Sequence, residues 1–193
     1  MKLVFASNNQ HKLDEIKALI GNSVELLSLN DIGFTEELPE TTGTIVGNAI
    51  QKAKELFERT GLPCFADDSG LEVEALGGAP GVDSAYYAGP ERDSVANYTR
   101  LLHELRIHAD RSARFVTVIS LVLPSGTYNF EGEIKGTIAD VSHGNGGFGY
   151  DPVFIPEGYD QTFAELPLSD KNEISHRARA VKQMADFLES LHF

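Results

Sequence analysis

The spacing of apolar residues predicts that strands and helices alternate in the first part of the chain. Residues 2–6 form an apolar run typical of a buried strand, which the polar triplet 7–9 ends. A helix should follow, because apolar residues then recur at helical spacing, at Leu13, Ile16, Leu19 and Ile20. Gly21-Asn22 predicts the end of this helix, and residues 24–29 predict a second strand. The chain therefore opens as strand, polar turn, helix and strand.

The same patterns continue to the end of the chain and predict both helices and paired strands. Helices are expected at about 44–59, at 95–105 and in a final segment that includes residues 174–188. Strands are expected at 62–66, 71–75, 113–123, 127–134 and 152–155. The first two of these should be separated by a turn at Ser69-Gly70, and the next two by a hairpin turn at 124–126. The sum is an α/β fold with a mixed sheet flanked by helices.

Composition narrows the locations and the kinds of partner that we expect for this protein. The chain has 193 residues, of which 41% are hydrophobic and 23% charged, so we expect one globular domain over residues 1–193. The single cysteine, Cys64, and the lack of a long apolar run predict a cytoplasmic protein without disulfides or membrane spans. A formal net charge of -13 argues against nucleic acid as a partner. A small anionic substrate still fits if cations and a metal meet in one site.

The acidic pair Asp67-Asp68 is the strongest chemical signal. Carboxylates at the end of a buried strand suit Mg²⁺, which takes oxygen ligands and keeps several waters beside a phosphate. The alternative is that residues 67–70 only build a tight turn, since Asp, Ser and Gly are common turn residues. The pair gains weight from other segments that suit phosphates and bases.

Four further segments carry candidate chemistry, each with a simpler alternative. The polar turn at 7–12 leads into a helix, and the N-terminus of that helix could bind phosphate. The alternative is that Ser and Asn in this turn only cap the helix. The glycine-rich stretch 144–152 offers Phe148 and Asp151 to a base, or is a flexible turn. Residues 169–177 place several cations at the start of the final helix, which Ser169 or Asn172 could cap. The alternative is that these cations form a solvated patch. The acidic stretch 36–40 supplies a metal ligand, or is a solvated loop.

Four ordered motifs resemble one known family. They are SNNxxKxxE at 7–15, FADDSGLEVEALGGAPG at 65–81, GGFGYDPVF at 146–154 and ISHR at 174–177. Together they resemble the inosine/xanthosine triphosphate pyrophosphatases of the Ham1/RdgB type. The resemblance implies an elongated mixed α/β fold with two lobes around a central cleft and a homodimer. It also implies Mg²⁺-dependent hydrolysis of nonstandard purine nucleoside triphosphates to the monophosphate and pyrophosphate.

The resemblance also implies roles for individual residues. Asp68 would be the catalytic acid residue and a Mg²⁺ ligand, and Glu40 would be a second ligand; whether Asp68 acts as general base or chiefly as ligand stays open. Substrate contacts are implied for Ser7, Asn8, Asn9, Gln10, His11, Lys12, Lys52, Ser69, Phe148, Gly149, Tyr150, Asp151, Lys171, His176 and Arg177. Two departures from the family pattern are Ser7-Asn8, where Thr-Gly is common, and Gly47, where Glu is frequent.

Base selection would come from donors that face a 6-keto oxygen, for which His176 and Arg177 are the candidates. Two other functions remain open from the sequence. One is a related enzyme of the Maf type that acts on modified nucleotides, and the other is a nucleotide sensor without catalysis. The motifs ISHR and GGFGYD favour the purine enzyme, and the intact acidic pair with Lys12 and Glu40 disfavours the sensor.

Overall fold

The computed structural model describes residues 1–21 and 24–191, so Asn22 of the expected helix end lies outside the described residues. The chain forms two compact units, which agrees with the expectation of two lobes. Unit 1 contains residues 1–21, 24–68, 117–132 and 176–191, and unit 2 contains residues 69–116 and 133–175. The central cleft and the treatment of residues 1–193 as one functional domain stay predictions.

Within residues 1–21 and 24–191, seven strands form one sheet, and its mixed character agrees with the prediction. They are β1 (Lys2–Phe5), β2 (Glu25–Leu27), β3 (Cys64–Val73), β4 (Pro80–Gly81), β5 (Ser112–Leu123), β6 (Gly126–Ile138) and β7 (Phe154–Pro156). Their order is β2-β1-β3-β5-β6-β7, with β4 paired to β3. Strand β1 is parallel to β2 and β3, whereas β4 and β7 run antiparallel to their neighbours.

Five α-helices accompany the sheet in the described part of the chain. They are α1 (Gln10–Leu19), α2 (Ile45–Thr60), α3 (Ser94–Glu104), α4 (Leu168–Ile174) and α5 (His176–Ser190). The first three begin at polar caps, since the side chains of Asn9, Thr44 and Asp93 each accept a backbone N–H of the first turn. Within the described residues, no helix has the length and apolar character needed to cross a bilayer.

The core of unit 1 covers both faces of β1 and β3. Phe5 and Phe65 stack with ring centroids 5.0 Å apart, in a buried cluster that also holds residues of α1 and α5. Val4 and Ala66 point to the other face and lie in a cluster with Ala53 and Leu56 of α2. Because side chains alternate along a strand, neighbouring residues of β3 serve opposite helices. The short apolar runs of β1 and β3 follow from this two-sided burial.

The core of unit 2 is built around aromatic side chains. Phe115, Phe154 and Phe163 pack against one another, with the ring centroid of Phe154 4.6 Å from that of Phe115 and 5.3 Å from that of Phe163. Aliphatic residues of β3, β6 and α3 complete this buried cluster, among them Leu71, Val73, Leu101 and Ile134. The unit therefore has a hydrophobic core of its own.

The predicted turn at Ser69-Gly70 is wrong. Residues Cys64–Val73 form one continuous ten-residue strand, so the expected strands 62–66 and 71–75 are parts of a single element. Tertiary contacts override the local turn preferences, because Asp67 and Asp68 pair with lysines that are distant in sequence while the backbone continues as a strand. The acidic pair thus lies inside β3 and is held rigidly.

The predicted capping of the final helix by Ser169 or Asn172 is also wrong. Both residues lie within α4. The helical conformation is interrupted at Ser175, whose backbone is extended, and α5 begins at His176. The break separates two basic side chains, since Lys171 belongs to unit 2 and Arg177 to unit 1. Each of them finds a buried carboxylate, which offsets the cost of a cation near a helix start.

Gly132→Ala tests the close approach of β6 to α5. A Cβ at Gly132 would overlap the carbonyl oxygen of His176 and lie 2.7 Å from the amide nitrogen of Ala180. We expect the free energy of unfolding to fall by about 1 to 3 kcal/mol, the usual cost of overpacking. Urea unfolding should show this loss, whereas Asn129→Ala, at an exposed position of the same strand, should change stability by less than about 0.5 kcal/mol. Equal stability of both variants would contradict the packing.

Candidate active site

Asp67 is the centre of a buried ionic cluster in unit 1. Its carboxylate is 1% exposed and accepts from Lys12 Nζ at 2.9 Å and from Arg177 Nε at 3.2 Å. Burial by itself raises the pKa of Asp67, but Lys12, Arg177 and Lys52 outweigh it and hold the pKa well below its usual range. Asp67 therefore stays ionised and serves as an anchor for cations.

Glu15 extends this cluster on the other side of Arg177. The Nη1 group of Arg177 donates to Glu15 Oε2, so the guanidinium lies between two carboxylates. Burial lowers the pKa of Arg177, but Asp67 and Glu15 more than compensate and the net shift is upward. In the sequence, Glu15 stands out only as the last residue of the motif SNNxxKxxE. Its placement on the buried face of α1, between Leu13 and Ile16, was the signal that could have identified it.

Lys52 forms a second centre on the opposite face of β3. Its ammonium lies 2.5 Å from Glu40 Oε1, 2.7 Å from the carbonyl oxygen of Asp67 and 3.5 Å from Asp68 Oδ1. Burial lowers the pKa of Lys52, but Asp68, Asp67 and Glu40 together raise it above its usual value. Lys52 is therefore a permanent cation between the two carboxylates that the sequence predicts as metal ligands.

Asp68 differs from Asp67 although the two are adjacent. Alternation along β3 places Asp67 on the side of α1 and α5, whereas Asp68 faces Lys52 of α2 and is half-buried. Burial raises the pKa of Asp68; Lys52 and Lys12 oppose this shift, Glu40 and Asp67 reinforce it, and the net shift is upward. A carboxylate whose ionised form is disfavoured in this way gains by meeting a proton or a cation.

The donor set around Lys52 fits a hard divalent cation. Glu40 and Asp68 offer carboxylate oxygens that face the same ammonium, and such oxygens are the usual protein ligands of Mg²⁺. Among residues 1–21 and 24–191, no group of three His, Cys, Asp or Glu side chains is arranged to hold a metal. Two carboxylates leave the remaining ligand positions to water and phosphate, which is how Mg²⁺ is commonly bound.

The loop that carries Glu40 rests on Gly47. A Cβ at Gly47 would overlap the hydroxyl of Thr42 and lie 2.6 Å from Thr44 Oγ1. Asn48 holds the same loop, because its Oδ1 accepts from the amide and the hydroxyl of Thr42. The absence of a side chain at position 47, which is a departure from the family pattern, therefore allows the loop to pack closely on α2.

The opening polar turn forms the N-terminus of α1, as predicted. Ser7 Oγ accepts from the amide of Asn9, and Asn9 Oδ1 accepts from the amide of Lys12. Asn8, Asn9, Gln10 and His11 are exposed, and Ser7 and Lys12 are half-buried. The turn thus presents polar groups to solvent while the ammonium of Lys12 reaches inward to Asp67.

Of the residues expected to bind a base, unit 2 holds Phe148, Asp151 and Lys171, whereas His176 and Arg177 belong to unit 1. Lys171 Nζ lies 2.6 Å from Asp151 Oδ2 and 5.1 Å from the ring centroid of Phe148. The amide of Phe148 donates to the same oxygen of Asp151, and a Cβ at Gly147 would overlap that oxygen. Phe148, Asp151 and Lys171 therefore form one compact group with an aromatic face, a cation and an anion.

The remaining predicted site residues lie on β3, in the glycine-rich stretch 144–152 and at the start of α5. Ser69 is half-buried on β3, Gly149 has a φ of 62°, and His176 is buried at the first position of α5. The Tyr150 hydroxyl donates to the carbonyl oxygen of Ser84 in a buried hydrogen bond, so its side chain contributes to the core of unit 2. The substrate-binding roles of all these residues stay predictions.

Comparison with known proteins identifies the family of this chain. The model of the Ham1 family matches residues 3–187. The chain belongs to the Ham1 family. It is 54% identical over 188 residues, covering 97% of both chains, to a protein of Porphyromonas gingivalis named dITP/XTP pyrophosphatase. A protein of the same name from Flavobacterium johnsoniae is 52% identical, with 97% of this chain and 98% of the relative covered.

Solved structures agree with the membership in the Ham1 family. The structure of the Staphylococcus aureus Ham1 protein superposes with a TM-score of 0.91 at 40% identity, and the match covers 99% of this chain and 100% of that one. The sequence-based resemblance and the mixed α/β fold are thereby confirmed. Membership in the Ham1 family also favours the purine enzyme over the Maf-type alternative.

Asp67→Asn tests the role of Asp67 as an anchor. We expect the free energy of unfolding to fall by about 3 to 5 kcal/mol at pH 7, because Lys12 and Arg177 lose their shared carboxylate inside the protein. Urea unfolding measures the loss. Asp14→Asn is the control, because Asp14 is exposed on the same helix as Lys12 and accepts a hydrogen bond from the side chain of Gln10.

The pH dependence of this stability difference has a defined sign. The pKa of Asp67 is lower in the folded protein, so its contribution is present above the unfolded pKa of about 3.9 and is lost as the pH falls through the lower folded pKa. The difference between wild type and Asp67→Asn should therefore narrow only below about pH 4. A difference that narrows near neutral pH would argue against an ionised anchor.

Proposed function

We propose that this Ham1 family protein hydrolyses nonstandard purine nucleoside triphosphates, namely ITP, dITP, XTP and dXTP, to the monophosphate and pyrophosphate. The observation that carries the proposal is the pairing of Asp68 and Glu40 with Lys52 beside the Lys12–Asp67 pair. Two carboxylates and two ammonium groups in one place suit a metal-bound triphosphate. Relatives that are 44% to 54% identical to this chain are named dITP/XTP pyrophosphatase, which supports the same substrate class.

Glu40 and Asp68 would hold Mg²⁺, which fits their shared orientation toward Lys52 and the raised pKa of Asp68. When bound, the ion supplies positive charge to the phosphate oxygens and lowers the pKa of a coordinated water. Lys12 and Lys52 add two ammonium groups for the triphosphate. Their pKa values shift in opposite directions, since burial, Arg177 and Lys52 lower the pKa of Lys12 despite Asp67, whereas for Lys52 the effect of burial is outweighed by carboxylates, which raise its pKa. The cytoplasmic location and the homodimer that the resemblance implies belong to this proposal as well.

Asp68 would orient the attacking water and accept its proton. The water oxygen forms a bond to the α-phosphorus while the bond from that phosphorus to the bridging oxygen breaks, and pyrophosphate leaves. Asp67 is engaged by Lys12 and Arg177, whereas Asp68 is half-buried and faces the proposed metal position, so Asp68 is the carboxylate placed to accept the proton. In this proposal Asp68 takes part in proton transfer, and Asp67 holds the cations in place.

Base selection would rest on buried donors and an aromatic face. Phe148 offers its ring for stacking, and Lys171 beside it offers an ammonium to a 6-keto oxygen. His176 and Arg177 were the donors proposed from the sequence, and two donor groups of Arg177 face Asp67 and Glu15. An adenine amino group would meet such donors unfavourably, at a cost of about 1 to 3 kcal/mol for each donor left unpaired.

Asp68→Asn tests catalysis. We expect kcat for ITP with Mg²⁺ to fall on the order of a hundredfold or more, because a metal ligand and proton acceptor is lost. Thermal unfolding and circular dichroism should show a folded variant. Asp160→Asn, at an exposed position of unit 2, is the matched control and should retain wild-type turnover. Near-normal kcat for Asp68→Asn at saturating Mg²⁺ would remove Asp68 from the mechanism, whereas absence of turnover by the wild type would favour a sensor.

A panel of triphosphates tests the substrate class. With Mg²⁺ present and released pyrophosphate as the readout, kcat/KM for ITP and XTP should exceed that for ATP by roughly tenfold to several thousandfold, as expected when one or two buried donors are left unpaired by adenine. Inosine diphosphate serves as a control, since it cannot release pyrophosphate. Equal turnover of ITP and ATP would contradict recognition of the 6-keto group.

A further inference from the structure

The segment that carries Glu40 lies along α2 and runs in the opposite direction. Four contacts show this, in order along the segment: Glu36 with Arg59, Glu40 with Lys52, Thr41 with Gln51 and Thr42 with Asn48. Residue numbers rise along the segment and fall along the helix. Asn48, Lys52 and Arg59 recur at helical spacing, so one face of α2 holds residues 36–42 with Glu40 between the two ends.

Amide side chains of α2 hold the backbone immediately after Glu40. The N–H of Thr41 donates to Gln51 Oε1 at 2.9 Å, and Gln51 Nε2 donates to the hydroxyl of Thr41 at 2.9 Å. The N–H of Thr42 donates to Asn48 Oδ1 at 3.1 Å, and the hydroxyl of Thr42 donates to the same oxygen at 2.9 Å. Two successive residues of the segment are thus each held by two hydrogen bonds.

We propose that Asn48 and Gln51 are positioning residues for the divalent cation. By holding the backbone next to Glu40, they keep its carboxylate directed at the metal position that it shares with Asp68. The inference rests on the proposed function, because that proposal makes Glu40 a metal ligand.

The ion pair of Glu40 with Lys52 does not by itself fix the position of the segment. The side chain of Glu40 is 33% exposed, and the ammonium of Lys52, 2.5 Å away, also contacts Asp68. Partly hydrated ion pairs hold long side chains weakly, because water competes for both charges. The ammonium and a bound cation also repel each other, so this ion pair weakens when a metal is present, whereas the hydrogen bonds of the backbone remain.

Amides suit this task because they are uncharged. Each amide side chain offers both donors and an acceptor, so it binds backbone and hydroxyl groups alike. A lysine at position 48 or 51 would repel a nearby cation, and a carboxylate would compete with Glu40 for Lys52. Removal of a hydrogen-bonding partner behind a metal ligand typically lowers metal affinity by roughly tenfold to a hundredfold.

Mn²⁺ titrations without nucleotide, followed by the electron paramagnetic resonance of the free ion, test the inference. For Asn48→Ala and Gln51→Ala, the dissociation constant of Mn²⁺ should rise by about threefold to thirtyfold, since the effect reaches the ligand through its backbone. Alanine favours the helical conformation, so α2 itself is not weakened. Asn129→Ala, which removes an exposed amide of unit 1, should bind as wild type does. Equal affinities of wild type and both α2 variants would overturn the inference.

The Mg²⁺ dependence of ITP hydrolysis separates positioning from a merely structural role or a substrate contact. The Mg²⁺ concentration at half-maximal rate should rise by a similar factor, whereas kcat at saturating Mg²⁺ should stay within about threefold of wild type. A low kcat with an unchanged Mg²⁺ requirement would overturn the inference. If the buried Asn48 does not tolerate alanine, the half-buried Gln51 carries the same test.

Crystal structures of the two variants supply a readout that does not depend on turnover. The distance from Glu40 Oε1 to Lys52 Nζ, which is 2.5 Å in the wild type, should grow beyond about 4 Å. An unchanged contact in both variants, or a wild type that binds no Mn²⁺, would overturn the inference. A wild type that binds Mn²⁺ and hydrolyses no triphosphate would overturn the proposed function alone, because the Mn²⁺ affinities would still decide the inference.

Discussion

Two cations from separate helices converge on the carboxylate of Asp67 inside unit 1, and the rest of the site depends on this contact. Asp67 is buried, so Lys12 and Arg177 supply the positive charge that water would otherwise provide. The consequence is a fixed distance between α1, β3 and α5. Buried charges are costly for stability in general, and their presence at the proposed site of phosphate chemistry is consistent with a functional reason for keeping them.

Because side chains alternate along β3, the neighbouring carboxylates of Asp67 and Asp68 lie in different surroundings and their pKa values shift in opposite directions. The side chain of Asp67 is surrounded by cations and its pKa falls, whereas Asp68 is half-buried beside Glu40 and its pKa rises. Lys52 connects the two, because its ammonium contacts the backbone of Asp67 and the side chains of Glu40 and Asp68. A continuous strand holds this division more rigidly than the predicted turn would, since each residue of β3 is fixed by its neighbours in the sheet.

Periodicity predicted the order of the elements well, because apolar spacing reports directly on which face is buried. It failed where local preference and tertiary contact disagree. Asp67 to Gly70 carry residues typical of turns, yet distant cations keep them in a strand. The partnership of Glu15 with Arg177 was beyond prediction for a different reason, since 162 residues separate them and no spacing rule reaches that far. Motif resemblance located Arg177 as important and left its partners unspecified.

Neither unit corresponds to one continuous stretch of chain, and this has a consequence for synthesis on the ribosome. Unit 1 takes its last helix, α5, from the end of the sequence, and Arg177 follows Asp67 by 110 residues. At about 5 to 20 residues per second, Arg177 is polymerised roughly 5 to 22 s after Asp67. During that interval Lys12 has been made and Arg177 has not, so the charge cluster around Asp67 is completed only when α5 is added.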